Sequence, residues 1–298
     1  MVLQRAPQRA VVWGFGDSKA LTTLTINGRT YTTISEAQAA NAQAESIWSV
    51  TLDPVSDEGP FDIHVTQPLA NGTHVTITLH DVLFGDVWIC SGQSNMQLTI
   101  GMVYNGSLEI AQASNYPKIR VFTASMELSM TPIEELLNIS LNWSLPSHQS
   151  LGGPEWTYMS AVCWLYGRMI HQALNGRPIG LVATSWGGTN IEDWVPPQGL
   201  EDCGSTSVAG PHNRTILYNA MIYPFTRMVI YGSIWYQGES NAGLPGNYSC
   251  LFAKMIYYWR QTWHERTNGS TDLEFPFGFV QVRDLFVLFL FYFHMVFF

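Results

Sequence analysis

The stretch Asp86-Val-Trp-Ile-Cys-Ser-Gly-Gln-Ser-Asn-Met96 decides the fold, because an apolar strand in it runs through Ser91-Gly92 directly into the start of a helix. A serine on such a turn is presented at the carboxyl edge of a sheet, where α/β enzymes place their reactive groups. Ser94 is therefore a candidate nucleophile. Taken alone, a serine here more often caps a helix, and G-x-S-x-G, the usual elbow of the α/β-hydrolases, is absent.

Two later stretches also follow predicted strands. Thr184-Ser-Trp-Gly-Gly-Thr-Asn-Ile-Glu192 comes after the strand at 179–183, and Trp235-Tyr-Gln-Gly-Glu-Ser-Asn241 comes after the apolar run at 228–234. Taken singly, each is an ordinary glycine turn. The three turns would meet at one edge of a parallel sheet, and a serine, a glycine N–H and a side-chain amide together are what the tetrahedral oxyanion of an ester needs.

The pattern of apolar residues divides the chain into two regions. Residues 1–84 alternate apolar and polar side chains, as at 75–79, and carry a hairpin turn signal at Asn27-Gly28, which predicts a small antiparallel β-sandwich domain. Residues 85–282 alternate short apolar runs with longer helix-like segments. This second pattern is typical of an α/β domain with a largely parallel sheet.

The apolar runs of the second region predict its elements. The predicted strands are Val87–Cys90, Ile119–Phe122, Ile179–Ala183, Met228–Tyr236 and Phe277–Val282, and the predicted helices are Ser160–Leu174, Thr215–Phe225 and Cys250–Trp263. The stretch 283–298 is expected to be an aberrant apolar tail. It is shorter than the ~20 residues that cross a bilayer, so no membrane span is expected.

Charge and composition exclude several classes of function. The chain has 14 Lys and Arg against 23 Asp and Glu, a net charge of −9 and no basic run, so we expect no binding to nucleic acid. No Cys-x-x-Cys pair is present, so no zinc site is expected. With 46% apolar residues, the chain can build sizeable cores.

Seven Asn-x-Ser/Thr sequons in 298 residues indicate a protein of the secretory pathway, either lysosomal or secreted, although no signal peptide is recognisable at the start. The acceptor asparagines are Asn71, Asn105, Asn138, Asn142, Asn213, Asn247 and Asn268. In an oxidising compartment we expect a disulfide between Cys203 and Cys250, which lie in loop-like sequence. Cys90 and Cys163 lie in apolar runs and are expected to be buried free thiols.

Three motif blocks stand in the order found in the SGNH-type carbohydrate O-acetylesterases, and the chain resembles that family. The blocks are Gly-Gln-Ser94-Asn-Met, Ser-Trp-Gly-Gly188-Thr and Trp-Tyr-Gln237-Gly-Glu-Ser-Asn. The runs 81–88 and 159–164 are similar to the sialate O-acetylesterases in particular. The resemblance extends over about residues 1–282 and implies an SGNH-hydrolase-like three-layer α/β domain after the sandwich.

For the site, the resemblance implies a serine esterase without metal or cofactor. Ser94 would attack the acetyl carbonyl of an O-acetylated sialic acid or sialoglycoconjugate. The backbone N–H groups of Ser94 and Gly188 and the side chain of Gln237, which stands where the family usually has an asparagine, would form the oxyanion hole. The residues expected to shape the substrate pocket are Asn95, Gly187, Asn190, Glu239 and Asn241.

The general base of this family is a histidine in an Asp-x-x-His motif, but none of the eight histidines here has an aspartate three positions earlier. We therefore expect a chain that is truncated at both ends and inactive or nearly so. Two alternatives stay open at this point. One is an acetylesterase for another carbohydrate, such as acetylated xylan, and the other is a catalytically silent sugar-binding glycoprotein.

Overall fold

The computed structural model describes residues 1–37, 46–69, 72–205, 214–243, 247–280 and 295–297. The strands in these ranges are β1 Val2–Gln4, β2 Val11–Gly16, β3 Leu21–Ile26, β4 Arg29–Ile34, β5 Glu36–Ala37, β6 Ser46–Thr51, β7 Phe61–Pro68, β8 His74–Gly92, β9 Ile119–Ala124, β10 Ile139–Ser144, β11 Ile179–Ser185, β12 Gly232–Tyr236, β13 Phe277–Val280 and β14 Met295–Phe297. The α-helices are α1 Ser94–Gln97, α2 Gly106–Gln112, α3 His148–Leu151, α4 Ala161–Ala173, α5 Pro197–Asp202 and α6 Tyr248–Arg266.

The first strands form the predicted antiparallel sandwich. β2, β6 and β5 make one small sheet, while β4, β3, β7 and the first part of β8 make the other. The predicted hairpin at Asn27-Gly28 is confirmed, because these two residues have φ angles of 47° and 74° and join β3 to β4. Apolar side chains from both sheets, such as Trp48 and Ile63, pack in one cluster between them.

One long strand, β8, serves both regions of the chain. Its first part pairs antiparallel with β7, and its last part, from Asp86 to Gly92, pairs in parallel with β11. Residues 83–85 in between pair in parallel with β1. The predicted division at residue 84 therefore falls inside a continuous strand, and the assignment of two domains stays a prediction.

The α/β region is built on a sheet in the order β10-β9-β11-β8-β12-β13-β14. The five inner strands are parallel, and β10 and β14 join them antiparallel. Val87 and Ile89 of β8 lie in one apolar cluster with Trp259 of α6, whereas Cys90 lies in a second cluster with Trp164 of α4. Because successive side chains of a strand point to opposite faces, this confirms helices on both faces of the sheet and an α/β fold.

Two predicted elements differ in the structure. The strand predicted to begin at residue 228 begins at Gly232. The helix predicted over 215–225 is present but irregular: residues 216–217 are α-helical, Tyr218–Ile222 form a short π-helix and Tyr223–Phe225 form a 3₁₀ turn. Pro224 has no N–H to donate, which opposes a regular helix there. The predicted tail at 283–298 lies outside the described residues except for β14, which pairs with β13.

Both pairs of cysteines form disulfides. The predicted bridge between Cys203 and Cys250 is confirmed and ties the end of α5 to α6. The expectation of free thiols at Cys90 and Cys163 was wrong, because these residues form a second bridge with Cα atoms 5.7 Å apart. The reason is tertiary: Cys90 points to the face of the sheet on which α4 packs, and the exposed fraction of each cysteine is 0%.

A cluster of one carboxylate and two guanidinium groups also joins distant parts of the chain. Glu134, in the loop after β9, accepts hydrogen bonds from Arg227 at 2.8 Å and from Arg266 at the end of α6. Burial alone would raise the pKa of Glu134, but the two guanidinium groups outweigh it and hold the pKa below its ordinary value. Arg227 also lies over the ring of Trp13, so the cluster connects β2 with the α/β region.

Candidate active site

The three predicted turns meet at one edge of the sheet. β8 lies between β11 and β12, and Gly92 is in register with both Ser185 and Tyr236. All three strands run in the same direction, so the turns that follow them begin at the same level. The structure thus brings together the stretches around Ser94, Gly187 and Gln237. None of the helices in the described ranges is long and apolar enough to cross a membrane.

Ser94 lies on a tight turn that only glycine permits at position 92. Gly92 has φ +144°, and a Cβ placed on it would lie 2.1 Å from the carbonyl oxygen of Tyr236. After this glycine the chain bends, and Ser94 becomes the first residue of the four-residue helix α1. Its hydroxyl is partly exposed and lies 3.5 Å from Nε2 of Gln93, which donates to it. The nucleophile candidate is therefore accessible at the sheet edge.

Gln93 is a positioning residue that the motif comparison did not single out. Its side chain is buried, and its Oε1 accepts the backbone N–H groups of Gly238 at 3.3 Å and Ser240 at 3.2 Å. The backbone N–H of Gln93 donates to the carbonyl oxygen of Tyr236. These bonds join the serine turn to the third turn. The sequence feature that could have identified Gln93 is its amide side chain directly before Ser94, where α1 begins. The structure shows that this side chain is buried.

Gln97 connects the serine helix to the glycine turn and was also missed. Its Oε1 accepts the N–H of Gly187 at 2.6 Å, and its Nε2 donates to the carbonyl oxygen of Trp156 at 2.6 Å. A Cβ on Gly187 would lie 3.0 Å from that Oε1 and 3.3 Å from Cβ of Ser94. Gly187 is therefore close to the serine, but its N–H is already bound.

Gly188 is the other glycine of this turn, and it faces open space. Its φ is +75°, and no protein atom of the described residues lies within 4 Å of a Cβ placed on it. Because only glycine adopts this backbone readily, the turn can leave the peptide edge at Gly188 open. The two glycines of the turn therefore differ: the N–H of Gly187 is bound by Gln97, whereas Gly188 faces open space.

Gln237 is buried, and each polar group of its side chain has a protein partner. Nε2 donates to the carbonyl oxygen of Thr189 at 3.1 Å and to Oδ1 of Asn241 at 2.8 Å. Oε1 accepts from the hydroxyl of Tyr248 at 2.8 Å. Burial raises the pKa of Tyr248 to about 12, so this hydroxyl stays protonated and donates at neutral pH. Gln237 holds the second and third turns together, and its predicted oxyanion contact would require it to exchange a partner.

The predicted pocket residues fall into two groups. Asn241 is buried and binds the second turn: its Oδ1 accepts the N–H of Ile191 at 2.9 Å, and its Nδ2 donates to Glu192 at 2.9 Å. Asn190, by contrast, is exposed at the rim. Asn95 donates to Oε1 of Glu239, which joins the serine helix to the third turn. The other carboxylate oxygen of this glutamate is buried without a hydrogen-bond partner among the described residues.

The histidines of the described ranges do not supply a hydrogen bond to Ser94. Those with a ring hydrogen bond contact other groups: His64 contacts Thr78, His80 contacts Asp62, His171 contacts the Arg177 carbonyl, and His264 contacts the Thr271 carbonyl. His212 and His294 lie outside the described residues. The general base of the reaction is therefore not assigned to any described residue.

The sequon asparagines differ in exposure. Asn105, Asn138, Asn142 and Asn268 are exposed, and Asn71 and Asn213 lie outside the described residues. Asn247 is half-buried, and its Nδ2 donates to Oγ of Ser205 at 2.5 Å. Four of the five described acceptor positions are therefore accessible on the folded surface.

The chain places a serine turn between a glycine turn and a Gln-Gly-Glu turn on a parallel sheet covered by helices, an arrangement that suits an ester hydrolase. The family model described as "Carbohydrate esterase, sialic acid-specific acetylesterase" matches residues 84–267, and the chain belongs to this family of carboxylic-ester hydrolases. It is 40% identical to the sialate O-acetylesterase of Mus musculus and 41% identical to that of Homo sapiens, in each case over 95% of this chain.

The chain spans 58% and 55% of the lengths of these two relatives. Among solved structures, a carbohydrate acetylesterase from Xanthomonas citri is similar, with a TM-score of 0.75 and 30% identity. The match covers 93% of this chain and 57% of that protein. Both the sandwich and the α/β region therefore have a counterpart in a known carbohydrate acetylesterase.

Proposed function

We propose that this chain carries the nucleophile of a sialate O-acetylesterase, which hydrolyses O-acetyl esters of sialic acids through Ser94. The observation that carries the proposal is the position of Ser94 directly after β8 and next to the backbone of Gly187. The two are so close that a Cβ built on Gly187 would lie 3.3 Å from the Cβ of Ser94. Ester hydrolysis needs such a hydroxyl beside backbone N–H groups that face the developing negative charge.

In the proposed reaction, Oγ of Ser94 forms a bond to the acetyl carbonyl carbon while a base takes the hydroxyl proton. The oxyanion lies against the backbone N–H groups of Ser94 and Gly188, because the N–H of Gly187 is bound by Gln97. Collapse of the intermediate breaks the bond from the carbonyl carbon to the sugar oxygen. This oxygen takes up the proton from the base and leaves as a hydroxyl group, so that an acetyl-serine remains. Water then attacks this ester, releases acetate and restores the serine.

Gln237 supports the same site. We retain the prediction that its amide contributes to the oxyanion hole, and its buried contacts with Thr189 and Asn241 support a second effect, the positioning of the glycine turn. A kinetic comparison separates the two. Gln237→Ala should lower kcat by about 10²–10³ if the amide contacts the oxyanion. A change confined to KM would make it a substrate-binding residue.

The substrate proposal rests on the relatives, whose names specify sialate esters. The neighbour from Xanthomonas citri is described only as a carbohydrate acetylesterase, so other acetylated sugars are the second candidate class. The test is acetate release from 9-O-acetylated N-acetylneuraminic acid and from acetylated xylan, measured in parallel. Turnover of acetylated xylan without turnover of the sialate ester would overturn the substrate proposal.

Ser94→Ala provides the test of the nucleophile. In a chain extended to the full length of its relatives, it should remove all acetate release while leaving thermal unfolding unchanged, because Ser94 is partly exposed and its hydroxyl supports no buried network. The described residues place no histidine in hydrogen-bond contact with Ser94, and a serine hydrolase that lacks such a base typically loses about 10⁴–10⁶ in kcat. Binding of the O-acetylated sialic acid, followed by saturation-transfer NMR, therefore accompanies the rate measurement. Retention of most of the acetate release by the full-length alanine variant would exclude Ser94.

We also propose that the chain is a glycoprotein of the secretory pathway, either lysosomal or secreted. The two disulfides support this, since such bridges persist in oxidising compartments. The exposed sequons at Asn105, Asn138, Asn142 and Asn268 support it as well. Expression with a signal peptide, followed by glycosidase treatment of the secreted protein, should lower its apparent mass. An unchanged mass would contradict the proposal.

A further inference from the structure

One edge of the main sheet ends in β10, and no strand of the described residues pairs with its outer side. In the described parts of the chain, β10 pairs with β9 on its inner side and is the last strand in the order. An edge strand presents unpaired backbone N–H and C=O groups, which can pair with another chain. Two register shifts distort the pairing of β10 and protect the edge only in part.

The segment around this strand exposes several large apolar side chains. They are Leu128 at 52%, Met130 at 66%, Leu137 at 60%, Ile139 at 38% and Leu145 at 50%. Natural edge strands are usually protected by charged side chains or proline. Residues 136–145 contain neither, since their sequence is Leu-Leu-Asn-Ile-Ser-Leu-Asn-Trp-Ser-Leu. An apolar edge without charge is an aggregation hazard, and something else has to protect it.

Two sequons lie on this edge. Asn138 immediately precedes β10 between the exposed Leu137 and Ile139, and Asn142 lies within the strand. Both asparagines are exposed, and Oδ1 of Asn138 accepts the N–H of Ile139 at 2.9 Å. Four residues of a strand span about 13 Å, which leaves room for a branch at each position. Polar acceptor sites thus occupy the positions at which charged residues would otherwise be expected.

We propose that N-linked glycans on Asn138 and Asn142 shield this sheet edge and keep the protein from self-association. The inference rests on the proposed entry into the secretory pathway. In the transfer, Nδ2 of the asparagine forms a bond to C1 of the reducing-end sugar of a lipid-pyrophosphate oligosaccharide. The bond from C1 to the pyrophosphate oxygen breaks, and the amide proton leaves with the lipid pyrophosphate.

The first experiment maps the sites and removes the shield. The full chain is secreted from cultured eukaryotic cells with a signal peptide, and peptide mass spectrometry locates the glycans. The folded protein is then trimmed with an endoglycosidase, and its mass in solution is measured by sedimentation before and after. We expect a glycan on at least one of the two asparagines, and at least about a twofold rise in weight-average mass after trimming, as open edges pair.

Variants separate shielding from a general effect of glycans on folding. Asn138→Gln with Asn142→Gln should self-associate, whereas Asn105→Gln, which removes an exposed sequon at the start of α2, should remain monomeric. Adding Ile139→Lys to the double variant should restore the monomer without any glycan, because a charge on an edge strand opposes pairing.

Three outcomes would overturn the inference: no glycan on either asparagine, a trimmed protein that stays monomeric, or a double variant that the lysine does not rescue. None of these readouts depends on acetate release. Failure of the esterase proposal would therefore leave the result intact, and failure of the shield would leave the esterase proposal intact.

Discussion

Replacing both Cys90 and Cys163 by alanine should destabilise the protein strongly, because their bridge closes a large loop inside the core. The two cysteines are 73 residues apart in sequence. A chain-entropy treatment assigns a loop of this length about 4 kcal/mol at 25 °C, and measured values are typically about 2–4 kcal/mol. The bridge also fixes β8 to α4 four positions before Ser94, so the loss should loosen the serine turn.

The second bridge provides a matched control. Cys203 and Cys250 are 47 residues apart, and the same treatment gives a loop contribution smaller by only about 0.4 kcal/mol. Both double variants should therefore lower the midpoint of thermal unfolding by a similar amount, roughly 4–16 °C. The variant at the buried pair should show the larger effect, because removing two fully buried sulfur atoms also leaves a small cavity.

Thiol titration in denaturant without reductant decides whether the buried bridge exists. The wild type should contain no reactive thiol, and neither double variant should expose one, since each retains one intact bridge. Two reactive thiols per wild-type chain would refute the reasoning and restore the interpretation of two free cysteines. A variant at the buried pair that unfolds at the same urea concentration as the wild type would refute the expected contribution of this bridge to the free energy of unfolding.

The remaining predictions concern single side chains. Gln97→Leu removes the acceptor of the Gly187 N–H and should cost about 1–3 kcal/mol in urea unfolding, while Gln112→Leu on the exposed surface of α2 should cost little. Glu134→Gln should cost about 1–2 kcal/mol at neutral pH. The pKa of Glu134 is lowered in the folded state. The difference in unfolding free energy between the wild type and the variant is therefore fully present above the ordinary pKa of 4.5, and it should vanish as the pH falls through the lowered value. Gly92→Ala should yield little folded protein in a soluble-expression assay, because its Cβ would lie 2.1 Å from a carbonyl oxygen of β12; normal yield would contradict the assigned turn.

The core of the fold was predictable from local pattern. Alternating side chains identified the sandwich strands, and the change near residue 85 identified the α/β region, because strand and helix periodicities are properties of neighbouring residues. The position of Ser94 between two other turns was predictable as well. Parallel strands end at a common edge, so three turns that each follow such a strand were expected to meet there.

The boundaries of elements were less predictable. The single strand from His74 to Gly92 joins two regions that differ in composition, and no local signal shows that it is continuous. The π-helix at Tyr218–Ile222 likewise replaces an apparent α-helical pattern. In both places the surrounding packing, and not the intrinsic preference of the residues, decides the backbone.

The sequence by itself determined which residue types stand at the site: a serine, two glycines and a glutamine, each directly after a strand. Only the tertiary structure decided how they are connected. It showed that Gln97 binds the N–H of Gly187, that Gln237 is engaged with Thr189, and that Cys90 lies against α4. Each of these contacts joins residues that are far apart in sequence, and their direction depends on which face of a strand or helix packs against another element. Periodicity assigns a residue to a face, but the partner across that face is fixed only when the whole sheet and its helices are assembled.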